Sequence, residues 1–194
     1  MSKSIITLGG GMVGSAIARD LKESNYNVTV ADWDEGVQSY LAPFDINYMK
    51  LDFLNNDALK KAIENFDLVI GAVPGFMGYE ILKTVIDTGK NIVDISFMPE
   101  DSRALIHLAK KNGVTAITDA GVAPGLSNLL FGKALFEFDQ LHSGNCYVGG
   151  LPQSPQPPWW YKSVFSPIDV IEEYTRPARF VVNGKMITKP AMTD

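Results

Sequence analysis

The sequence holds a single cysteine, Cys146, and two histidines, His107 and His142. One thiol excludes an internal disulfide, and no residue spacing matches a cysteine or histidine metal cluster. The absence of a G-x-S-x-G elbow removes the serine hydrolases built on that turn. No apolar run approaches the ~20 residues of a membrane-spanning helix. Basic blocks are missing too: 17 Lys and Arg stand against 22 Asp and Glu, for a net charge of −5. That balance argues against nucleic acid or an anionic membrane as the main partner. Apolar residues begin by Ile5, which leaves no room for a signal peptide, so the cytoplasm is the expected compartment. Repeats and low-complexity tracts are absent. What is present is an ordinary globular composition, 46% hydrophobic and 20% charged over 194 residues. That suffices for one full core and part of another.

The N-terminal segment carries the strongest pattern. Ile5, Ile6 and Leu8 form a β-prone run, followed by Gly9-x-Gly11-x-x-Gly14, a helical stretch, a second apolar run from Asn27 to Ala31, and Asp32. Gly9 suits a sharp strand-to-helix turn, Gly11 lets the backbone approach a pyrophosphate, and Gly14 lets the helix lie close on the sheet. Val13, Ile17 and Leu21 recur at i, i+4 and i+8, which predicts one apolar helix face. The helix start offers N–H groups, those of Met12 and Val13 among them, and a positive dipole end to phosphates. Asp32 stands 18 residues after Gly14, where a carboxylate accepts hydrogen bonds from the adenosine ribose and repels a 2′-phosphate. No Arg or Lys lies between Trp33 and Tyr40 to hold such a phosphate, so the expected cofactor is NAD rather than NADP.

The alternation continues downstream. Strands are expected over 46–49, 67–71, 91–94 and 113–117, with helices over 56–65, 78–88, 100–111 and 126–138. This order predicts an α/β fold, a doubly wound parallel (Rossmann) sheet over residues 1–140. Residues 141–194 differ. A strand is expected over 143–148, then a Gly- and Pro-rich loop over 149–158 and a short helix over 167–174. Asn183-Gly184 between two apolar runs signals a two-residue hairpin. These elements read as the start of a small antiparallel α+β domain, partial because so few residues cannot close an independent core. The expectation is therefore a fragment, a short natural form, or a chain completed by another chain. Trp159 and Trp160 suit either an interface or a cap on the small sheet.

In open α/β sheets, ligands lie outside the carboxyl ends of the strands. Asp52 with Phe53 is expected to flank the adenine, and Val73-Pro74 to run along the diphosphate and nicotinamide ribose. Asp94 and Asp119 are the carboxylates expected nearest a nicotinamide, where they either hold a reacting amine or cap the following segments. His107 and His142 read as solvated, and Cys146 as a core residue of its strand. Tyr161, Lys162, Arg176 and Arg179 form a cationic group suited to a substrate carboxylate, or to pairing with Glu172 and Glu173.

Several longer segments carry a resemblance. Gly9-Gly-Gly-Met-Val-Gly14, Asp94-Ile-Ser96, Asp119-Ala-Gly-Val-Ala-Pro-Gly-Leu-Ser-Asn128, Gly149-Gly-Leu-Pro152 and Tyr161-Lys162…Phe165-Ser166…Glu173-Tyr174 together resemble the saccharopine dehydrogenase-like family, and within it the lysine 6-dehydrogenase branch. The resemblance implies a nicotinamide-linked oxidoreductase acting on the C–N bond of an amino acid, and a homodimer. It implies roles for Asp119 at the amine and for Tyr161, Lys162 and Arg176 at the substrate. Family members are about twice as long. Two rival readings remain, a non-catalytic NAD-binding module and a flavin site using the same fingerprint.

Overall fold

The computed structural model describes residues 2–193. They divide into two compact units, one ending at Gly149 and one starting at Gly150.

The first unit is built on six parallel strands: β1 (Ser4–Leu8), β2 (Asn27–Asp32), β3 (Asn47–Lys50), β4 (Leu68–Gly71), β5 (Ile92–Asp94) and β6 (Ala116–Ile117). Their spatial order is β3-β2-β1-β4-β5-β6, so the chain reverses direction across the sheet between β1 and β4. Six helices connect or follow them: α1 (Met12–Glu23), α2 (Gly36–Leu41), α3 (Asn56–Ile63), α4 (Gly75–Asp87), α5 (Ile106–Asn112) and α6 (Leu126–Glu137). Apolar side chains cover both faces of the sheet. One core joins Ile6, Leu8, Val69 and Ile92 to Leu59, Ile63, Leu82, Val85 and Ile86 from α3 and α4. The other joins Val28, Val30 and Ile46 to Ala18 and Leu41 from α1 and α2. This is the doubly wound parallel sheet expected from the strand–helix alternation, and two-sided burial explains why its strands are apolar runs.

Several local features depart from expectation. Helix α2 is not among the expected elements, and β6 is shorter than the strand expected over 113–117. Helix α5 follows a short 3-10 turn (Ser102–Leu105) and starts six residues later than the helix expected over 100–111. Helix α1 buries Gly14, Ser15 and Ala18, while Val13 is 36% exposed. Around Gly14 the helix comes so close to the sheet that only small residues face it, while Leu21 of the expected apolar face packs against the second core. Helix α4 starts at Gly75, three residues earlier than expected, with Pro74 as its N-cap. Residues 143–148 form no strand, and Cys146 is exposed rather than part of a core. The apolar positions of that stretch have no strand to pair with among the described residues, and an isolated extended segment leaves its backbone groups to water.

The second unit contains α7 (Pro167–Thr175) and an antiparallel hairpin, β7 (Ala178–Val182) and β8 (Lys185–Lys189). Val182 pairs with Lys185 across Asn183-Gly184, both of which have positive φ, as the two-residue turn requires. Every β7 residue is exposed, and Trp159 and Trp160 are exposed in the loop before α7.

Candidate functional site

The carboxyl ends of β1, β2, β4 and β5 converge on one edge of the sheet. Gly9 follows β1 with φ +101, and its amide N–H bonds Ala31 O at 2.8 Å. A Cβ on Gly9 would overlap the Ala72 carbonyl, and one on Gly14 would overlap Gly9 O. These two glycines therefore let the turn, the helix and the end of β4 share one small volume. Gly11 differs: nothing lies within 4 Å of where its Cβ would stand. It lies on the open side of the turn, where a diphosphate would need room.

Gly11 is also the N-cap of α1, and no side chain caps that helix. Pro74 likewise leaves the start of α4 without a side-chain cap. The orphan N–H groups of α1 thus stay available to an anion. Met12 and Val13 are its first helical residues and are exposed.

Asp32 closes β2 and is only 8% exposed. Its Oδ2 accepts the Gly10 N–H at 2.6 Å, and its Oδ1 accepts the Asp34 N–H at 2.9 Å. The first bond ties the carboxylate to the glycine turn itself, so the acidic group and the phosphate loop are held as one rigid piece. Each oxygen keeps a second lone pair for a ribose hydroxyl. Neither Gly10 nor Asp34 stood out in the sequence, because both act through backbone N–H groups. Trp33, 72% exposed, projects beside Asp32.

The remaining predicted positions fall into two groups. Asp52 is exposed and accepts the Leu54 N–H at 2.9 Å, while Phe53 and Val73 are buried in the larger core. Asp94 has no exposed surface. Its Oδ1 accepts the Ser96 N–H at 2.9 Å and its Oδ2 the Ser96 hydroxyl at 3.2 Å. Burial pushes the Asp94 carboxyl up to about 7; the two Ser96 bonds oppose the rise and the nearby Asp119 charge adds to it. Space for this pair is made by glycine. A Cβ on Gly71 of β4 would overlap Asp94 Oδ2, and one on Gly78 of α4 would stand 2.7 Å from Ser96 Cβ.

Asp119 is exposed and has φ +54, an uncommon backbone state that aspartate tolerates better than most residues. It opens a tight loop: Leu126 N–H bonds Gly121 O at 2.9 Å, and Gly125, at φ +133, packs directly on Gly121. Asn128 Oδ1 accepts the Gly125 N–H at 3.2 Å. The loop is tied to β5 because Ala120 N–H bonds Asp94 O at 3.0 Å.

Tyr161, Lys162 and Arg176 lie in the second unit. Tyr161 and Lys162 are exposed. Arg176 is largely covered and pairs with Glu172 one helical turn earlier at 3.0 Å. His107 and His142 are exposed, as expected of solvated residues. No helix of the described residues is long and apolar enough to cross a membrane.

Comparison with known proteins agrees with this geometry. Residues 5–117 match the model of the saccharopine dehydrogenase NADP binding domain, and residues 121–194 that of the saccharopine dehydrogenase C-terminal domain. The chain is 28% identical over 196 residues to saccharopine dehydrogenase [NADP(+), L-glutamate-forming] of Saccharomyces cerevisiae, covering 97% of this chain and 44% of that protein. It is 28% identical over 194 residues to the mitochondrial alpha-aminoadipic semialdehyde synthase of Rattus norvegicus, covering 95% of this chain and 21% of that one. The solved apo structure of the Saccharomyces cerevisiae L-Glu-forming saccharopine dehydrogenase superposes with a TM-score of 0.70 at 25% identity, over 96% of this chain and 44% of its own. The chain thus spans less than half the length of these relatives. With both domain models matched in order and the fold shared, the chain belongs to the saccharopine dehydrogenase family of oxidoreductases.

Proposed function

We propose that the crevice of the first unit binds NAD, and that the protein is an NAD-linked oxidoreductase acting on the C–N bond of an amino acid. The observation that carries the cofactor choice is Asp32, whose buried carboxylate is fixed by the Gly10 and Asp34 N–H groups. A ribose with two free hydroxyls complements it; a 2′-phosphate is repelled at short range. The matched domain model is named for NADP, so the proposed NAD preference rests on Asp32 of this chain and not on the family match.

NAD supplies a hydride acceptor; the protein's own part is binding, orientation and proton handling. The glycine turn and the uncapped start of α1 would hold the diphosphate, with Asp52 and Trp33 toward the adenine and the core residue Phe53 backing them from inside. Val73 and Pro74 would line the path to the nicotinamide. Asp119, exposed at the loop tied to Asp94, is the candidate to receive a proton from a substrate amine, which must be neutral before it gives up a hydride. Tyr161, Lys162 and Arg176 are the candidates for the substrate carboxylate, in a substrate and dimerisation domain begun by residues 141–194. One observation favours a second reading, an NAD-binding module without turnover: Arg176 already pairs with Glu172.

Titration of the 194-residue chain with NADH and NADPH tests the first step, followed by NAD with lysine, saccharopine and related diamines. Tighter NADH binding and amine-dependent NADH formation are expected. Equal affinity for NADPH sinks the Asp32 argument, and binding without turnover of any amine leaves the module reading.

A further inference from the structure

Asp94 is unusual among the acidic groups at the strand ends. Its side chain is sealed from solvent, and the described ion pairs include no Lys, Arg or His partner for it. An isolated buried carboxylate is costly, and a protein that needed only a turn there could use a neutral residue. The surroundings instead make room for it. Gly71 on β4 leaves the space that Asp94 Oδ2 fills, and Gly78 on α4 leaves the space for Ser96. Ser96 then gives the carboxyl two donors, one to each oxygen. The charged group that acts on it is Asp119, on the loop after β6, and this is of like sign. A carboxyl so placed is poised between two protonation states, and an incoming positive charge would favour its ionised form.

The strand order places Asp94 where such a charge would arrive with a dinucleotide. β5 lies next to β4, and β4 next to β1, so Asp94 stands at the sheet edge beyond the glycine turn, on the side where the second half of a dinucleotide lies. An oxidised nicotinamide ring carries one positive charge and a reduced ring carries none. We propose that Asp94 is a redox-linked proton site, ionised when NAD⁺ is bound and protonated when NADH is bound, so that it sets the relative affinity for the two forms. This rests on the dinucleotide reading above. The balance is one proton: the NADH complex holds one more proton than the NAD⁺ complex, and that proton is exchanged with solvent as the cofactor enters and leaves the crevice. Ser96 is the positioning residue of the arrangement, because its two hydrogen bonds stabilise the ionised form.

The test is the ratio of NAD⁺ to NADH dissociation constants for the full 194-residue chain, measured by titration from pH 5.5 to pH 8.5. Protonation of adenine or phosphate is common to both ligands and cancels in the ratio. NAD⁺ should tighten relative to NADH by about tenfold as pH rises, the factor that corresponds to displacing one pKa by one unit. Asp94→Asn, which keeps the size and an acceptor for the Ser96 N–H, should flatten that dependence. Ser96→Ala, which removes one donor, should move the transition to higher pH and serves if the Asn variant does not fold. Asp119→Asn should move it to lower pH without abolishing it. A slope unchanged in Asp94→Asn, or a transition unmoved in Ser96→Ala, would overturn the proposal while leaving the binding reading intact. Failure of the unaltered chain to bind either dinucleotide would overturn both.

Discussion

Replacing Asp32 by asparagine separates the two functions that the structure gives this carboxylate. It accepts the Gly10 N–H at 2.6 Å and the Asp34 N–H at 2.9 Å, and is 8% exposed. Asparagine can accept only one of these with its oxygen; its amide group then points a donor at the other N–H. Losing one charge-assisted bond costs about 1.5–3 kcal/mol in a buried setting. For a chain of this size that corresponds to roughly 3–12 °C in Tm. The effect on cofactor choice is separate and larger in kind. Two unit charges 4 Å apart near a protein surface repel by about 4 kcal/mol, and by about 2 kcal/mol at twice that distance. Even the smaller value makes NADPH binding roughly thirtyfold weaker than NADH binding. Fluorescence titrations of both reduced cofactors should therefore show a strong NADH preference in the natural chain. In Asp32→Asn the preference should shrink at least tenfold, with NADH weakened and NADPH unchanged or improved. Raising the salt should narrow the natural preference as well, since the repulsion is screened. A ratio of the two affinities that stays constant on substitution would refute the electrostatic argument, whatever happens to Tm.

Three further outcomes follow from the packing. Gly71→Ala should destabilise the chain by about 1–3 kcal/mol in urea titrations, because its methyl overlaps Asp94 Oδ2. Adding Asp94→Ala should recover at least ~1 kcal/mol of that loss, whereas simple additivity of the two substitutions would contradict the contact. Gly9→Ala should abolish NADH binding and cost about 2 kcal/mol or more, since φ is +101 and the new methyl meets the Ala72 carbonyl. The pH dependence of stability has a defined sign. The Asp94 carboxyl is pushed up to about 7 in the folded chain against 3.8 for a freely solvated aspartate, so the folded state holds the extra proton between those limits. Stability should fall as pH rises from about 4 to about 7 and level off above, by an amount on the order of 4 kcal/mol. Asp94→Asn should remove that slope and be more stable than the natural chain at pH 8; an unchanged slope in urea titrations at pH 4.5 and 8 contradicts the burial argument.

The glycine turn, Asp32 and the alternation of strands and helices were all legible locally. Gly9, Gly11 and Gly14 act over six residues of chain, and hairpin formation at Asn183-Gly184 depends on two. Of the expected apolar face of α1, Leu21 packs on the second core and Ile17 is half-buried, whereas Val13 is exposed, because at the helix start the sheet selects residues small enough to let the helix approach. Helix α4 begins at Gly75 rather than Gly78 although two glycines disfavour a helix there, since tertiary packing overrides weak propensity. Residues 143–148 end in the β-prone run Cys146-Tyr-Val148, yet strand formation needs a partner, and a sequence pattern cannot supply one.

Asp94 marks the boundary between the two kinds of information. Its place at the end of a strand followed from the apolar run before it, as did the place of Asp32 after the second run. The sequence by itself therefore determined the parallel order of elements, the dinucleotide turn and the acidic residue beyond it, because these depend on neighbours within a few positions. Tertiary structure alone decided that Gly71, 23 residues before Asp94, makes room for its carboxyl, that Ser96 and Gly78 close around it, and that Asp119 raises its proton affinity. Burial and desolvation arise from what the fold brings alongside, and the pairing of β4 with β5 is what brings it.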